Sequence, residues 1–428
     1  MRIFVPIIAA LLLYSSSFAQ TQAPTATPES PPALENPTVQ RNFRFSIGGV
    51  VEAQFGLASS GAVSGLSAFT LSFSGSLGAE DAPSAAFNAN LRSSFDAASG
   101  ATRVDLGETV LTAYVGAFDL SAGNLIVNWG AVDAFSVVSN INPVDFASQQ
   151  RIPVPAIRAL WNLSNDLRLE GVIVPIFTPS ALPAMTGAAP AVPSPPGVTI
   201  IGQNPPLDNR PAARLENVQY GIRLGGNLAL FDGGDFGLSF YGGPRHTPTI
   251  AVRLIPSAQA GQFTAQPVLN YDWIHVLGVE ANLSLGDVAV RAEAAYTFTQ
   301  DPSGANLEIG NPSLAMTAQG EFRVSGINLT GLVNAQWRKG ESGAGDAYNL
   351  NAGLIASTEL DNRTNFSIVW VQSLTDGSGL VAPNFTYTLA DGFKLEGSAS
   401  VNYGRLGSSL NPSGVFGAQL RFGLKFSF

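Results

Sequence analysis

The chain ends in the thirteen residues FGAQLRFGLKFSF, from Phe416 to Phe428, and this stretch decides the fold. Every second residue is apolar or small, and the residues between them include Gln419, Arg421 and Lys425. Successive side chains of a β-strand point to opposite faces, so the segment has one apolar face and one polar, charged face. This alternation is typical of a strand that crosses a membrane as part of a β-barrel.

The same stretch resembles the C-terminal strand of bacterial outer-membrane β-barrels, which commonly end in Phe after alternating apolar residues. The resemblance implies that the barrel-insertion machinery recognises the strand through Phe428. It also implies a location in the bacterial outer membrane, with outer-membrane lipid around the protein.

The other end of the chain predicts export. Arg2 precedes an apolar run over residues 3–14, and small residues follow as far as Ala19. This pattern predicts a secretory signal peptide over residues 1–19. The alternative, a membrane anchor, is disfavoured because the run is well short of the ~20 residues that a spanning helix needs. Residues 20–42 contain five prolines without periodicity, which predicts an extended or disordered periplasmic lead-in.

Composition narrows the class of protein. The 428 residues are only 12% charged, carry a net charge of −9, and include 45 Gly and no Cys. No apolar run of spanning length follows the signal peptide, which excludes a helical membrane protein but suits a barrel of half-polar strands. Without cysteine there is no disulfide framework and no thiol chemistry. The excess of acids argues against nucleic acid as a partner.

Residues 43–428 repeat a hairpin pattern in which short turns alternate with longer connections. It predicts an all-β fold, a transmembrane antiparallel up-and-down β-barrel of about 18 strands, with 16 possible if one hairpin is misread. The run over residues 250–255 alternates too, and is assigned to an extracellular loop to keep the strand number even. Short turns are predicted at Asp81–Ser84, Leu120–Ala122, Ser164–Asp166, Asp232–Asp235, Gly286–Asp287, Ser325–Gly326, Leu360–Arg363 and Ala390–Gly392. Longer loops are predicted at 56–67, 96–102, 130–154, 178–213, 243–271, 300–313, 339–346, 375–379 and 404–414.

Charged residues fall on one parity of these strands. A charge on the lipid face at the bilayer midplane costs about 2–4 kcal/mol, so this parity is predicted to face the lumen. A soluble sandwich would alternate as well, but the signal peptide and the terminal Phe favour the barrel. The candidate pore-lining residues are Arg44, Glu52, Arg92, Arg103, Arg168, Glu170, Arg291, Glu293, Glu321, Arg323, Arg338, Lys394, Glu396, Arg421 and Lys425.

The most individual stretch combines Trp129-Gly130 with Asn142-Pro143-Val144-Asp145 and a following segment rich in Arg and Pro. It resembles a phrase found in some porin-like outer-membrane barrels of uncharacterised function. The loop at 130–154 has two interpretations. It folds into the lumen and narrows it, with Asp133, Asp145 and Arg151 as constriction residues, or it is a surface loop braced by proline and by Asn and Asp turns.

The sequence predicts no enzyme, cofactor or metal site. Only two histidines exist, and two scattered imidazoles make a poor metal site. His275 shares the outward parity of Trp273, and the outward positions of its neighbours offer phenylalanine rather than a nucleophilic serine. We therefore interpret His275 as a structural residue at the membrane boundary. The Pro-rich loop at 178–213 is either a semi-rigid plug or a surface loop.

The preferred functional prediction is a porin-like outer-membrane channel through which small hydrophilic solutes diffuse, since about 16–18 strands enclose an aqueous bore. One alternative is a transporter specific for an apolar or carbohydrate ligand. Another is a barrel-anchored adhesin or structural protein of the cell surface. The sequence does not specify the solute or the oligomeric state.

Overall fold

The structure is a computed structural model. It describes residues 43–405 with gaps at 60, 80–82, 98, 133–135, 147–149, 183–198, 229–232, 260 and 341–344, followed by 408, 410 and 417–428. The predicted signal peptide, the Pro-rich lead-in, Asp133 and most of the proline cluster of the 178–213 loop therefore lie outside the described residues. No helix in the described ranges is long and apolar enough to cross a membrane.

Eighteen strands form one closed antiparallel sheet in which each strand pairs with its neighbours along the chain. The first nine are β1 Phe43–Ala58, β2 Val63–Gly78, β3 Pro83–Asp96, β4 Ala101–Val115, β5 Phe118–Leu125, β6 Val154–Asn162, β7 Leu167–Val174, β8 Gln219–Leu228 and β9 Gly234–Pro244. The second nine are β10 Trp273–Leu285, β11 Val288–Thr299, β12 Ser313–Val324, β13 Ile327–Arg338, β14 Ala347–Asp361, β15 Thr364–Ser373, β16 Gly379–Ala390, β17 Phe393–Tyr403 and β18 Gly417–Ser427.

The barrel closes between its first and last strands. β1 pairs with β18 from Val50 opposite Ser427 to Ala58 opposite Gln419. Beyond this ladder, the N–H groups of Phe428 and Gly49 each donate to the carbonyl of the other at 3.0 Å. The Phe428 ring lies where a Cβ on Gly49 would be, so a side chain at this position would require the ring to move. Closure leaves neither edge strand exposed, which is how barrels avoid edge-to-edge aggregation.

Alternation sorts the side chains of each strand between lipid and lumen. On β13 the outward Val333 is 47% exposed, whereas the inward Leu332 is 3% exposed. The same outward, apolar and exposed parity runs around the barrel and forms the surface that contacts hydrocarbon. The predicted fold class, an all-β transmembrane barrel of 18 strands, is confirmed.

Two details of the predicted hairpins are wrong. Leu120–Ala122 is not a turn but the middle of β5, and the chain turns instead at 116–117, where Gly116 adopts a φ of +61°. Asp119 and Ser121 carry polar side chains that point inward on a strand, and this polarity imitates a turn. The predicted loops at 56–67 and 96–102 are also too long, because β1 and β2 are separated only by 59–62, and β3 and β4 only by 97–100.

The 250–255 run lies outside the barrel, as predicted. It belongs to Thr249–Pro256, which pairs antiparallel with Gln262–Asn270. On its other edge, Gln262–Asn270 pairs in parallel with the short strands Thr199–Gln203 and Leu207–Asn209. The connections between β7 and β8 and between β9 and β10 thus share a small sheet, which we call the outer sheet.

Aromatic side chains with polar atoms mark the edge of the apolar surface at the long-loop end. The Trp370 indole donates to the Tyr403 hydroxyl at 3.0 Å, and that hydroxyl donates to Gln372 at 2.5 Å. The Trp337 indole donates to Asp346 at 3.0 Å. Such amphipathic rings suit the boundary between hydrocarbon and water. Tyr271, which precedes β10, packs edge-on against Phe177 among the loops.

The membrane-facing surface gives the first testable prediction. Leu354 points outward near the middle of β14 and is 43% exposed. We expect Leu354→Arg to lower the free energy of unfolding by about 2–4 kcal/mol, because an arginine at the midplane must be stripped of water. Ser357→Arg on the inward face of the same strand is the matched control, with little loss expected. Urea titration in liposomes measures both, and equal losses would contradict the assignment of faces.

Candidate functional site

The described residues of the connection between β5 and β6 (126–132, 136–146 and 150–153) lie inside the barrel, and we call them the lumen loop. Its Val127, Trp129, Val138 and Ile141 are each at most 2% exposed. They share one apolar cluster with inward side chains of the wall, contributed by Val154, Ala156, Val172, Val174, Tyr241, Ile274, Val276 and Ala295. The loop therefore covers the inner wall from β6 to β11.

Glycines on the wall make room for this contact. Gly221 on β8 faces inward, and a Cβ there would lie 2.6 Å from the Trp129 ring and 2.7 Å from Ile141. Gly278 on β10 is covered in the same way by Val138, at 2.8 Å. The absence of side chains at these two positions creates a socket for the apolar face of the lumen loop.

Glu293 on β11 fastens the lumen loop to the wall. Its carboxylate accepts hydrogen bonds from the Val132 N–H at 2.7 Å, the Val137 N–H at 2.8 Å and the Ser136 hydroxyl at 2.9 Å. Gly130 lies against this carboxylate with a φ of +113°, a conformation that favours glycine. Hydrogen bonds to a charged group are worth about 1.5–3 kcal/mol each. Because Glu293 is only 3% exposed, water does not compete for these donors.

Two polar side chains brace the lumen loop internally. The Asn142 amide donates to the carbonyls of Leu125 at 2.8 Å and Ile152 at 3.0 Å, and its oxygen accepts from the Val127 N–H at 2.7 Å. The Arg151 guanidinium donates to the Val127 carbonyl at 3.2 Å and to Asn128 at 3.0 Å. Burial lowers the pKa of Arg151, and the nearby charge of Glu293 opposes this effect. Arginine nevertheless stays protonated.

The lumen loop reaches the opposite wall through Gln150. Its amide oxygen accepts a hydrogen bond from Arg92 on β3 at 3.1 Å. β3 and β11 stand eight strands apart in a ring of eighteen, close to opposite each other. The loop thus bridges the lumen between Glu293 and Arg92, and the remaining bore is bordered mainly by β12–β18, β1 and β2.

The charged residues predicted from the sequence lie on the barrel strands and in the lumen loop. All fifteen predicted pore-lining residues alternate with outward apolar side chains on barrel strands and lie on the inner face. Arg92 and Glu293 contact the lumen loop directly. Of the candidate constriction residues, Arg151 braces the loop and Asp145 lies in a two-residue ladder with Gln150 and Arg151.

Ion pairs cross between neighbouring strands of the inner wall. Arg158 pairs with Glu170 at 2.7 Å, Arg291 with Glu321 at 2.8 Å, and Lys425 with Glu52 at 3.4 Å. These pairs join β6 to β7, β11 to β12, and β18 to β1, so opposite charges are interleaved around the wall.

Arg223 on β8 and Glu280 on β10 form a fourth pair. Sequence reasoning missed both of these residues, as well as Arg158. This pair spans β9 over Gly237, where a side chain would clash with the Glu280 carboxylate. The signal was present, because Glu280 alternates with the outward residues Leu277, Val279 and Ala281 on its strand.

A second apolar patch lies on the inner wall at β14–β16. Val369, Val371, Leu380 and Ala382 face inward and are at most 1% exposed, packed with Leu410 from the connection between β17 and β18. The Leu410 N–H donates to the Ser378 hydroxyl at 3.0 Å. Inserted residues therefore cover apolar patches on two sides of the lumen.

His246 lies just after β9 and contacts the connection between β7 and β8. Its Nδ1 lies 2.8 Å from the Thr178 carbonyl, and its ring stacks on Phe177 at 5.6 Å. Burial lowers the pKa of His246 below its usual 6.5, although the carbonyls of Thr178, Ile141 and Asn140 oppose this effect. The neutral ring thus donates from Nδ1 and holds the segment around Thr178 near the lumen loop.

His246 gives a pH prediction. The undocked segment binds a proton at His246 more readily than the docked one, so docking is fully favourable above about pH 6.5 and weakens below it. The Ser180 N–H donates to the His246 carbonyl at 2.9 Å. As the pH falls below about 6.5, we expect hydrogen exchange at this N–H to accelerate relative to its intrinsic rate, by up to about tenfold per pH unit. His246→Gln is the control. An identical pH dependence in both proteins would contradict the prediction.

His275 occupies the membrane boundary, as a structural residue would. Its ring stacks on Phe240 at 5.7 Å and lies 3.4 Å from the Trp273 indole nitrogen. Within the described residues, no group of three or more His, Cys, Asp or Glu side chains is arranged to hold a metal ion.

Solved structures with a similar fold are outer-membrane barrels. The outer membrane protein OpdK of Pseudomonas aeruginosa is 9% identical, with 90% of this chain and 99% of that chain aligned and a TM-score of 0.56. OccAB4 of Acinetobacter baumannii is 10% identical over 91% and 99% of the chains, with a TM-score of 0.54. OccD3 of Pseudomonas aeruginosa is 12% identical over 90% and 91%, with a TM-score of 0.52. These likenesses show a porin-like barrel fold.

No curated protein matches the chain. A family model described as a protein of unknown function, DUF1302, matches residues 54–415, which is most of the chain and nearly the whole barrel. The chain therefore belongs to the DUF1302 family.

Proposed function

We propose that this protein is an outer-membrane channel that passes small hydrophilic solutes by diffusion, with the lumen loop as its constriction. The observation that carries the proposal is the bridge across the lumen, from Glu293 on β11 to Arg92 on β3. A barrel of about 16–18 strands encloses an aqueous bore unless loops fill it, and this loop covers one side of the wall while leaving β12–β18, β1 and β2 as the border of a passage.

The charged inner wall supports passage of polar solutes. The predicted residues on the strands that border the passage would line it, namely Arg44, Glu52, Glu321, Arg323, Arg338, Lys394, Glu396, Arg421 and Lys425. Because acids and bases pair across strands, the wall presents local fields of both signs rather than one net charge. Selectivity would then depend on the groups nearest the constriction. The proposed signal peptide, residues 1–19, would direct export, and the mature protein would begin at Gln20.

Planar-bilayer recording tests the channel. Purified protein is expected to insert with discrete conductance steps in potassium chloride. The absence of steps in any salt, from protein shown to be folded in liposomes, would overturn the proposal.

A second function has one observation in its favour. An apolar patch on the inner wall consists of Val369, Val371, Leu380 and Ala382. Passage of hydrophilic solutes alone does not require such a patch. A transporter with an apolar or carbohydrate ligand would use such a patch if Leu410 moved away. Conductance blocked saturably by one solute would favour this alternative over simple diffusion.

A further inference from the structure

A proline interrupts the wall of the barrel between β16 and β17. Pro383 lies inside β16, near the end that begins at Gly379. Proline has no N–H group, and within sheets it is usually confined to edge strands and bulges. The pairing of β16 with β15 continues through Pro383, which lies opposite Ile368, whereas the pairing with β17 skips Ala382 and Pro383. The missing donor therefore faces β17.

This break isolates a short piece of the seam between the two strands. From the start of β16 to the break, three register pairs join them, beginning with Gly379 opposite Tyr403 and ending with Val381 opposite Val401. The pairing resumes at Asn384 and continues toward the other end of β16. In hydrocarbon no water replaces a missing donor, so a barrel normally pairs every backbone group with a neighbouring strand. The three-pair piece is therefore the part of this seam that separates most easily.

The break lies beside the apolar patch of the inner wall. Leu380 and Ala382 belong to that patch, and each is at most 1% exposed. On the opposite face of the same seam, Val401 and Phe385 point to the lipid and are each more than one third exposed. Apolar side chains thus line both sides of the wall at this point. A charged or strongly polar solute would lose its hydration on a path between them, so the path suits an apolar solute.

The residue that covers the patch is attached to both strand ends. The Leu410 N–H donates to the Ser378 hydroxyl at 3.0 Å, and Ser378 directly precedes Gly379 at the start of β16. Gly404, directly after β17, packs closely on the same serine, so that a Cβ on Gly404 would lie 2.6 Å from the Ser378 Cβ. Separation of the two strand ends would break this contact and release Leu410, which would open the wall and uncover the patch in one movement.

We propose that β16 and β17 separate between Gly379 and Pro383 and let an apolar solute pass sideways, from the inner patch into the hydrocarbon layer. Three register pairs span about 10 Å along the strands, which admits a hydrocarbon chain or a single aromatic ring. This lateral route goes beyond the diffusion of hydrophilic solutes along the bore and does not depend on it.

A disulfide lock across the seam tests the lateral route, since the chain contains no other cysteine. Val381→Cys with Val401→Cys joins β16 to β17, because directly opposed residues lie within the reach of a disulfide. The full-length mature protein is placed in vesicles whose outer leaflet is lipopolysaccharide, and the probe is N-phenyl-1-naphthylamine, which fluoresces once it enters hydrocarbon. The wild type is expected to accelerate uptake of the probe. The oxidised lock should abolish this acceleration, and dithiothreitol should restore it.

The matched control is a lock on another seam, Val333→Cys with Ala352→Cys, which joins β13 to β14 at directly opposed residues. Its oxidation should leave uptake unchanged, and neither lock should alter conductance in potassium chloride. Pro383→Val supplies the missing N–H without a disulfide. It is expected to slow uptake about 2–10-fold, the effect of one added hydrogen bond on the open population.

Heat-dependent gel mobility confirms the folding of each variant. Uptake that the oxidised Val381→Cys and Val401→Cys lock does not slow would overturn the proposal, as would equal slowing by both locks. Lock-sensitive uptake by a protein that shows no conductance steps would count against the channel and not against the lateral route.

Discussion

Replacing Glu293 with glutamine is expected to release the lumen loop from the wall and to raise the conductance of the barrel. The carboxylate accepts three hydrogen bonds from the loop, shared between its two oxygens. An amide of the same shape keeps only one accepting oxygen and turns the other position into a donor. At least one loop donor then stays buried without a partner, at a cost of about 1.5–3 kcal/mol.

This cost predicts the size of the effect. Since 1.4 kcal/mol is a factor of ten in an equilibrium, the undocked population should rise roughly 10–100-fold. The chain contains no cysteine, so a single Val138→Cys substitution reports docking. Val138 is 2% exposed, and its thiol should react with a maleimide only when the loop leaves the wall. The labelling rate should therefore increase in Glu293→Gln together with the single-channel conductance.

Glu359→Gln is the matched control for Glu293→Gln. Glu359 is an inward acid of β14 with no hydrogen bond to any described residue of the lumen loop. Its replacement should leave the labelling rate unchanged. The conductance step should change only as much as the loss of one wall charge requires. If Glu293→Gln behaves like this control, the carboxylate does not hold the loop, and the constriction must be fastened elsewhere.

The barrel could be predicted from the sequence because membrane insertion imposes alternation of apolar and polar residues on every spanning strand. On β11 the outward apolar set predicted that Arg291 and Glu293 face inward, and both do. The first and last strands of the barrel pair antiparallel, which requires the even number of strands that the sequence predicts. Even the exclusion of Thr249–Pro256 from the barrel followed from parity alone.

The contacts that hold the lumen loop were harder to predict, because most of the groups that bind Glu293 are backbone N–H groups. The sequence marks Glu293 as an inward acid but contains no sign that the N–H groups of Val132 and Val137 meet it. One usable signal was overlooked. Near the long-loop end of β7 the residues Gly171-Val172-Ile173-Val174 are apolar on both faces, which indicates a wall covered on both sides. The same loss of alternation over Ile274 and Val276 on β10 marks the rest of the covered wall.

The second large effect is expected at Gly221, where the wall itself makes room for the lumen loop. A methyl group in Gly221→Ala would lie 2.6 Å from the Trp129 ring and 2.7 Å from Ile141, inside van der Waals contact. Both neighbours are buried and cannot yield freely, and overpacking of this kind costs typically 1–3 kcal/mol. Because the barrel strands are held by ladders on both sides, this strain should be relieved by undocking of the loop rather than by distortion of β8.

Gly423→Ala separates this effect from a general intolerance of the inner wall. Gly423 faces inward on β18, and a Cβ there would meet nothing closer than 3.6 Å. The Val138→Cys labelling rate should therefore rise in Gly221→Ala and stay unchanged in Gly423→Ala, while urea titration gives the two barrels similar stability. Similar labelling in both variants would mean that Trp129 does not depend on the socket. Increased labelling without increased conductance would mean that the loop leaves the wall without widening the passage, and the constriction would then lie at another part of the lumen.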